Sequence, residues 1–174
     1  ITVQSRMNHS VFSGAIVEDN SLKKTSEMIF QVQDRYIVTQ VKSGMVLYNV
    51  GNPHAVVFVE KIEDVGSLDI APIVRPKDSY PEGVNVEFVK ITEGNSIQMR
   101  VFERGSGETR SCGTGTCAVA LAATLHTKGK LPATWIINPP GGRLEVSIDG
   151  HSNATLTGPA VLVRDVDISR FLLE

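Results

Sequence analysis

Cysteine is scarce in this chain: 174 residues contain two, Cys112 and Cys117, five positions apart. Two cysteines in a chain this long are no disulfide framework, and they point to a reducing, cytoplasmic compartment. An excess of one charge is also missing. Lys and Arg total 17, Asp and Glu total 19, and the formal net charge is -2. That balance excludes the basic footprint of a nucleic-acid binder and any electrostatic pull toward an anionic membrane surface. The only basic pair is Lys23-Lys24, and no acidic run exceeds two residues. Long apolar runs are missing as well. The longest, Cys117 to Leu125, has nine residues including Thr124, well short of the ~18 that would span a bilayer. The N-terminus, Ile-Thr-Val-Gln-Ser-Arg, lacks the charged-then-apolar pattern of a secretory signal. It also lacks an initiator Met, as expected of an excised or cleaved piece. There is no internal repeat, low-complexity tract or linker.

What is present fits a globular domain: 41% hydrophobic and 21% charged residues. A chain of this length buries about two-thirds of the surface it exposes when unfolded, so it needs no metal or disulfide to supply a core. Residues 1–174 read as a single domain. Ile97, Met99 and Val101 alternate with Gln98 and Arg100, and Leu144, Val146 and Ile148 with Glu145 and Ser147. Period-two alternation of this kind predicts half-buried strands. Tyr36–Val41, Met45–Val50, Ala55–Val59 and Val84–Ile91 are rich in strand-forming residues. Shorter strands are predicted at Trp135–Ile137, Ala154–Thr157 and Val161–Val163. Turn signals separate them at Lys42-Ser43-Gly44, Glu93-Gly94-Asn95, Pro139–Gly142 and Asp149-Gly150. The polar stretch Ser13–Glu27 reads as a loop.

One helix is predicted over about 11 residues from Cys117, roughly 16 Å long, with Gly129 as its C-cap. It is apolar on nearly every face and small-residued, so it belongs inside the protein. A second short helix is predicted between Val65 and Val74. The fold class is therefore α+β: a mostly antiparallel or mixed sheet wrapped around one buried central helix.

The segment that carries chemistry runs from Glu103 to Cys117. Cys112 falls at or just before the helix N-terminus, where free N–H groups and the helix dipole favour a thiolate and lower the thiol pKa. Gly113 and Gly115 let a ligand approach the backbone, and the same N–H groups form a socket for a carboxylate or phosphate. Taken alone, Cys112 reads more readily as a buried structural residue than as a catalyst, and Gly-Thr-Gly-Thr lacks the Gly-Lys-Ser/Thr ending of a phosphate loop. Cys117 reads as core. His54, in the turn Gly-Asn-Pro-His at 51–54, and Asn85, Glu103 and Arg104 at strand ends are individually weak signals.

Together they are not weak. Gly-Asn-Pro-His, then Asn85, then Glu-Arg-Gly-Ser-Gly-Glu-Thr at 103–109, then Cys-Gly-Thr-Gly at 112–115, then Gly-Gly-Arg-Leu at 141–144 and Thr-Gly-Pro-Ala at 157–160 occur in this order. The series resembles diaminopimelate epimerase from about Val46 to Val163. The resemblance implies an isomerase of amino-acid (lysine) biosynthesis that works without pyridoxal phosphate or a metal. Such enzymes have two similar halves, each with strands around a central helix, and one catalytic cysteine per half. Inverting an α-carbon requires a base on one face and an acid on the other. Cys112 matches the second cysteine. Gly113 and Thr114 match the socket for the α-carboxylate of the substrate. Glu103 is similar to the glutamate beside that cysteine, and His54 to the histidine that assists thiol chemistry from across the cleft. Arg104, Asn52 and Asn85 resemble the residues that hold the distal carboxylate, for which a guanidinium fork is well suited.

The departure is large. No first-half Cys-Gly-x-Gly motif and no counterparts of the first-half asparagines occur in the chain. It resembles a C-terminal half, so its expected partners are diaminopimelate and a missing N-terminal half, with no nucleic acid and no membrane. A homodimer placing two Cys112 thiols face to face is a weaker alternative. Other cofactor-independent amino acid racemases share the Cys-Gly-Thr-Gly feature. A non-catalytic carboxylate-binding module and a cysteine hydrolase using His54 complete the alternatives.

Overall fold

The computed structural model describes residues 2–7, 27–32, 35–40 and 48–49 as strand backbone, and residues 52–74, 80–161 and 163 in full. Twelve strands and one α-helix are defined among them. The strands are β1 (Thr2–Met7), β2 (Glu27–Val32), β3 (Arg35–Gln40), β4 (Tyr48–Asn49), β5 (Pro53–Phe58) and β6 (Ile73–Val74), followed by β7 (Asn85–Thr92), β8 (Ser96–Glu103), β9 (Gly107–Thr109), β10 (Ala133–Asn138), β11 (Leu144–Ile148) and β12 (Ala154–Pro159). Helix α1 runs Gly113–His126.

The alternation that predicted β8 is seen in its burial. Ile97, Met99 and Val101 are buried, whereas Gln98 is exposed. The tight turn from β7 to β8 puts Gly94 at φ 66° and Asn95 at φ 54°, the left-handed region these residue types tolerate best. Nine strands form one sheet in the order β1-β12-β11-β10-β8-β7-β5-β4, with β9 on β8, and β3-β2-β6 form a second. Most pairings are antiparallel, but β5–β7 and β8–β10 are parallel. The sheet is therefore mixed. A parallel pair needs a crossover between its strands. Between β8 and β10 that crossover contains α1, and so the helix lies against the sheet.

Strands β5 and β7 contribute to two apolar clusters. Val56 and Val89 join the cluster containing α1, with Ile97, Trp135 and Ile137. Ala55, Val57, Val86 and Phe88 join a second cluster with Leu68 and Phe102. Burial on both faces is why these strands read as nearly continuous apolar runs. Helix α1 packs on β5, β7, β10, β11 and β12, and Gly115 to Ala120 are all buried.

Several expectations are corrected. The helix starts at Gly113 rather than Cys117 and has 14 residues. Gly and Thr are poor helix formers, but Gly115 and Thr116, the second half of this first turn, are buried. The C-cap is Thr127, and Lys128 rather than Gly129 takes the left-handed conformation, at φ 54°. No helix lies between Val65 and Val74. A 3-10 turn at Ile62–Val65 and the two-residue β6 stand there instead. Val161 and Val163 are 82% and 87% exposed and belong to no strand, because β12 ends at Pro159. The Lys42–Gly44 turn, most of the Ser13–Glu27 loop and most of Met45–Val50 lie outside the described residues. Among the described residues no helix is long and apolar enough to cross a membrane.

Candidate active site

Three strand ends and one helix end meet. His54 follows Pro53 at the start of β5, and its parallel register partner is Asn85, the first residue of β7. Two residues on, Glu87 shares the Asn85 face of β7. Glu103 ends β8, and the antiparallel pairing of Glu103 with Gly107 turns the chain toward α1. The turn after β10 is pinned to the approach to the helix by the Gly141 N–H, which donates to the Arg110 carbonyl at 2.7 Å.

Cys112 is the N-cap of α1, with φ −128° and ψ 114°. The first amide of the helix taken up by the backbone is that of Thr116, which donates to the Cys112 carbonyl at 2.8 Å. Among the described residues the Gly113 and Thr114 amides have no acceptor, as expected of the first turn of a helix. Gly113 and Thr114 are the two residues for which a carboxylate socket was expected.

Cys112 stands at the helix start, as the sequence suggested, but its acidity shifts the other way. Cys112 is only 6% exposed. Burial pushes its thiol pKa up, with the Glu103 and Glu87 carboxylates acting in the same direction. The hydrogen bonds from Thr114 and Gly115 pull the other way and do not overcome it. The expectation of a lowered pKa is overturned, because desolvation outweighs the few amides available to a thiolate.

His54 is fully buried. Its Nδ1 lies 2.6 Å from Glu87 Oε1, and its Nε2 lies 3.1 Å from both Asn52 Oδ1 and Thr114 Oγ1. Thr114 Oγ1 is also 3.5 Å from Cys112 Sγ. Asn85 Oδ1 accepts the Arg104 backbone N–H at 2.8 Å, which ties the end of β8 to the start of β7. Glu103 accepts a short hydrogen bond from the Thr109 hydroxyl. The Arg104 side chain lies over Gly83, where a Cβ would come within 3.0 Å of its Cδ, and one guanidinium N–H donates to the Glu82 carbonyl at 3.0 Å. Arg104 also lines a cavity of about 230 Å³ with Tyr80, Val84 and Phe102. That cavity contains neither Cys112 nor His54. Cys112, His54, Thr114, Asn52 and Glu87 are thus linked by side-chain contacts. Asn85, Glu103 and Arg104 adjoin them through β7 and β8.

Glu87 was not predicted. It is fully buried, and burial raises its pKa, opposed mainly by its hydrogen bond to His54. Gly115 leaves room for it: a Cβ there would stand 2.5 Å from Glu87 Oε1. The available signal was Asn85 and Glu87 at i and i+2, two polar residues on one face of a strand otherwise rich in Val, Phe and Ile. His54, Glu87 and Cys112 each offer a ligand atom within 4.8 Å of the others. The 2.6 Å contact between Nδ1 and Oε1, however, has the width of a hydrogen bond. A zinc ion between those two atoms would need bonds of about 2.0 Å to each and a wider separation.

The family model described as diaminopimelate epimerase matches residues 46–163. The diaminopimelate epimerase of Streptomyces coelicolor is 46% identical over 132 residues, covering 72% of this chain and 45% of that protein. That of Bacillus mycoides is 33% identical over 132 residues, covering 76% and 46%. The Geobacillus enzyme is 38% identical over 112 residues, covering 64% and 39%. A crystal structure of a phenazine biosynthesis PhzF family protein from Enterococcus faecalis overlaps 55% of this chain and 34% of its own, at 22% identity and a TM-score of 0.35, an overlap too loose to build on. The chain spans a little under half the length of the first two of these relatives. Across 46–163 the motifs, their order and the matched family agree, and the chain belongs to the diaminopimelate epimerase family.

Proposed function

We infer that this chain is the C-terminal half of an amino acid epimerase interconverting LL- and meso-diaminopimelate, with α1 as the enclosed central helix of that half. What supports this reading above all is Cys112 at the N-cap of α1, with the Gly113 and Thr114 amides beside it and no acceptor on them among the described residues. The substrate α-carboxylate sits on those amides. As the α-proton leaves, negative charge grows toward that carboxylate, and fixed N–H dipoles stabilise it without reorganising.

Proton transfer needs two thiols in opposite states. A thiolate from the N-terminal half takes the α-proton from one face, and the Cys112 thiol delivers its proton to the other. In the reverse direction the roles exchange. A buried thiol with a raised pKa is protonated near neutral pH, which is the state an acid must have. Glu103 and His54 stand beside the ammonium group and the thiol. Arg104, Asn52 and Asn85 hold the distal carboxylate, and no cofactor enters the step. Two copies of this chain would duplicate one set of distal residues rather than supply the complementary set. The partner is therefore the N-terminal half.

The test is α-proton exchange with deuterated solvent by the full-length protein. Cys112→Ser is expected to lower exchange by about 10²-fold or more, and this chain without the other half should not turn over. Exchange at the unaltered rate in Cys112→Ser would overturn the reading. Preference for proline over meso-diaminopimelate would move the protein to another racemase class.

A further inference from the structure

We propose that Glu87 is a positioning residue which, through His54 and the Thr114 hydroxyl, sets the protonation state of the Cys112 thiol. The proposal rests on the epimerase reading only for its biological use. The relay is a property of the chain itself.

Three contacts form a continuous line: Cys112 Sγ to Thr114 Oγ1 at 3.5 Å, Thr114 Oγ1 to His54 Nε2 at 3.1 Å, and His54 Nδ1 to Glu87 Oε1 at 2.6 Å. A hydroxyl is both donor and acceptor, so Thr114 can take a proton from sulfur as it gives its own to nitrogen. The S–H bond breaks as a Thr114 O–H bond forms, and the old Thr114 O–H bond breaks as an Nε2–H bond forms. Thiol plus imidazole becomes thiolate plus imidazolium, and Thr114 is unchanged. Each nitrogen of the imidazolium then faces an oxygen acceptor, Glu87 Oε1 on one side and Asn52 Oδ1, at 3.1 Å, on the other.

The placement of Glu87 has no other evident use. It is fully buried, its Oε2 has no partner among the described residues, and a glycine at 115 keeps its space open. Burying a carboxylate is costly unless it is paired. Here the partner is a histidine in line with the thiol. The titratable groups around the relay are Glu103 at the end of β8, Tyr80 ahead of β7 and Cys117 on α1 itself.

The test is the pH dependence of Cys112 alkylation by iodoacetamide in the full-length protein without substrate, resolved by peptide mass spectrometry. Glu87→Gln removes a negative charge near the thiol. If Glu87 acts only as a nearby charge, the apparent pKa of Cys112 falls. If it holds the imidazolium, the apparent pKa rises by about one unit, and alkylation near neutral pH slows about tenfold. Thr114→Val cuts the line and should act in the same direction, while Thr114→Ser restores it. A fall in Glu87→Gln, or no change in Thr114→Val, overturns the relay. Should Glu87→Gln fail to fold, the Thr114 pair decides. Because alkylation is read apart from exchange, a shifted profile in a protein that exchanges no α-proton keeps the relay and removes the epimerase reading. The converse result keeps the epimerase reading alone.

Discussion

Cys112 and Cys117 are five residues apart at the start of one helix, yet they occupy different chemical worlds. Cys117 is fully buried, and its thiol pKa is pushed from 9.0 to about 12, first by burial and then by the charge of Cys112. Cys112 keeps a 6% opening and touches a hydroxyl that touches a histidine. Burial is close to equal, so burial does not separate them. What separates them is the helix itself. At the N-cap the nearest amides have no carbonyl four residues back to bond, and one and a half turns on they do. A thiol beside unused N–H groups can serve an incoming acid group, whereas a thiol among satisfied ones serves as packing.

The largest expected difference between the two is in the exchange assay. Cys112→Ser should lose about 10²-fold or more, and Cys117→Ser should stay within a few-fold. Equal losses would erase the distinction. Next comes alkaline stability. A thiol whose folded pKa lies above its unfolded value contributes stability that is intact below about pH 9 and lost as pH rises toward the folded value. For Cys117, from 9.0 to about 12, full loss is on the order of 4 kcal/mol. Chemical denaturation from pH 8 to 11 should show this decline, and Cys117→Ala should flatten it more than Cys112→Ala does. An unchanged slope in Cys117→Ala would mean that its sulfur is not sealed.

A smaller effect probes the boundary between the two cysteines. Gly115→Ala would bring a Cβ within 2.5 Å of Glu87 Oε1. The carboxylate or the helix must shift, at a cost of about 1–3 kcal/mol, visible in thermal melts and as a changed pH profile of Cys112. The smallest is Cys117→Ala near neutral pH, about 1 kcal/mol of stability with exchange intact.

Legibility followed the range of the interactions involved. Val146 and Ile148 alternate with polar neighbours, and the strand is there. Glu93-Gly94-Asn95 is rich in residues that accept positive φ, and the turn is there. The first helical turn, Gly-Thr-Gly-Thr, has weak helix propensity, so its inclusion in α1 was invisible locally; only tertiary packing buries Gly115 and Thr116. The short β9 has no pattern of its own, since three residues around a glycine become a strand only by pairing with β8. The parallel alignment of β5 with β7 was equally unreadable, because a crossover leaves no residue signature. That register is what brings His54 beside Glu87 and makes a lone acidic residue in an apolar strand a member of the site.

The amino-acid order alone determined the strand faces, the buried small-residue helix, the position of Cys112 at its start and the family to which the motifs belong. These depend on neighbours within a few residues and on spacings that a linear chain preserves. Tertiary structure decided the depth of the sulfur, the direction in which its acidity shifts and the carboxylate behind His54. Each of those depends on how many atoms from distant strands exclude water from one point, and no local pattern records that number.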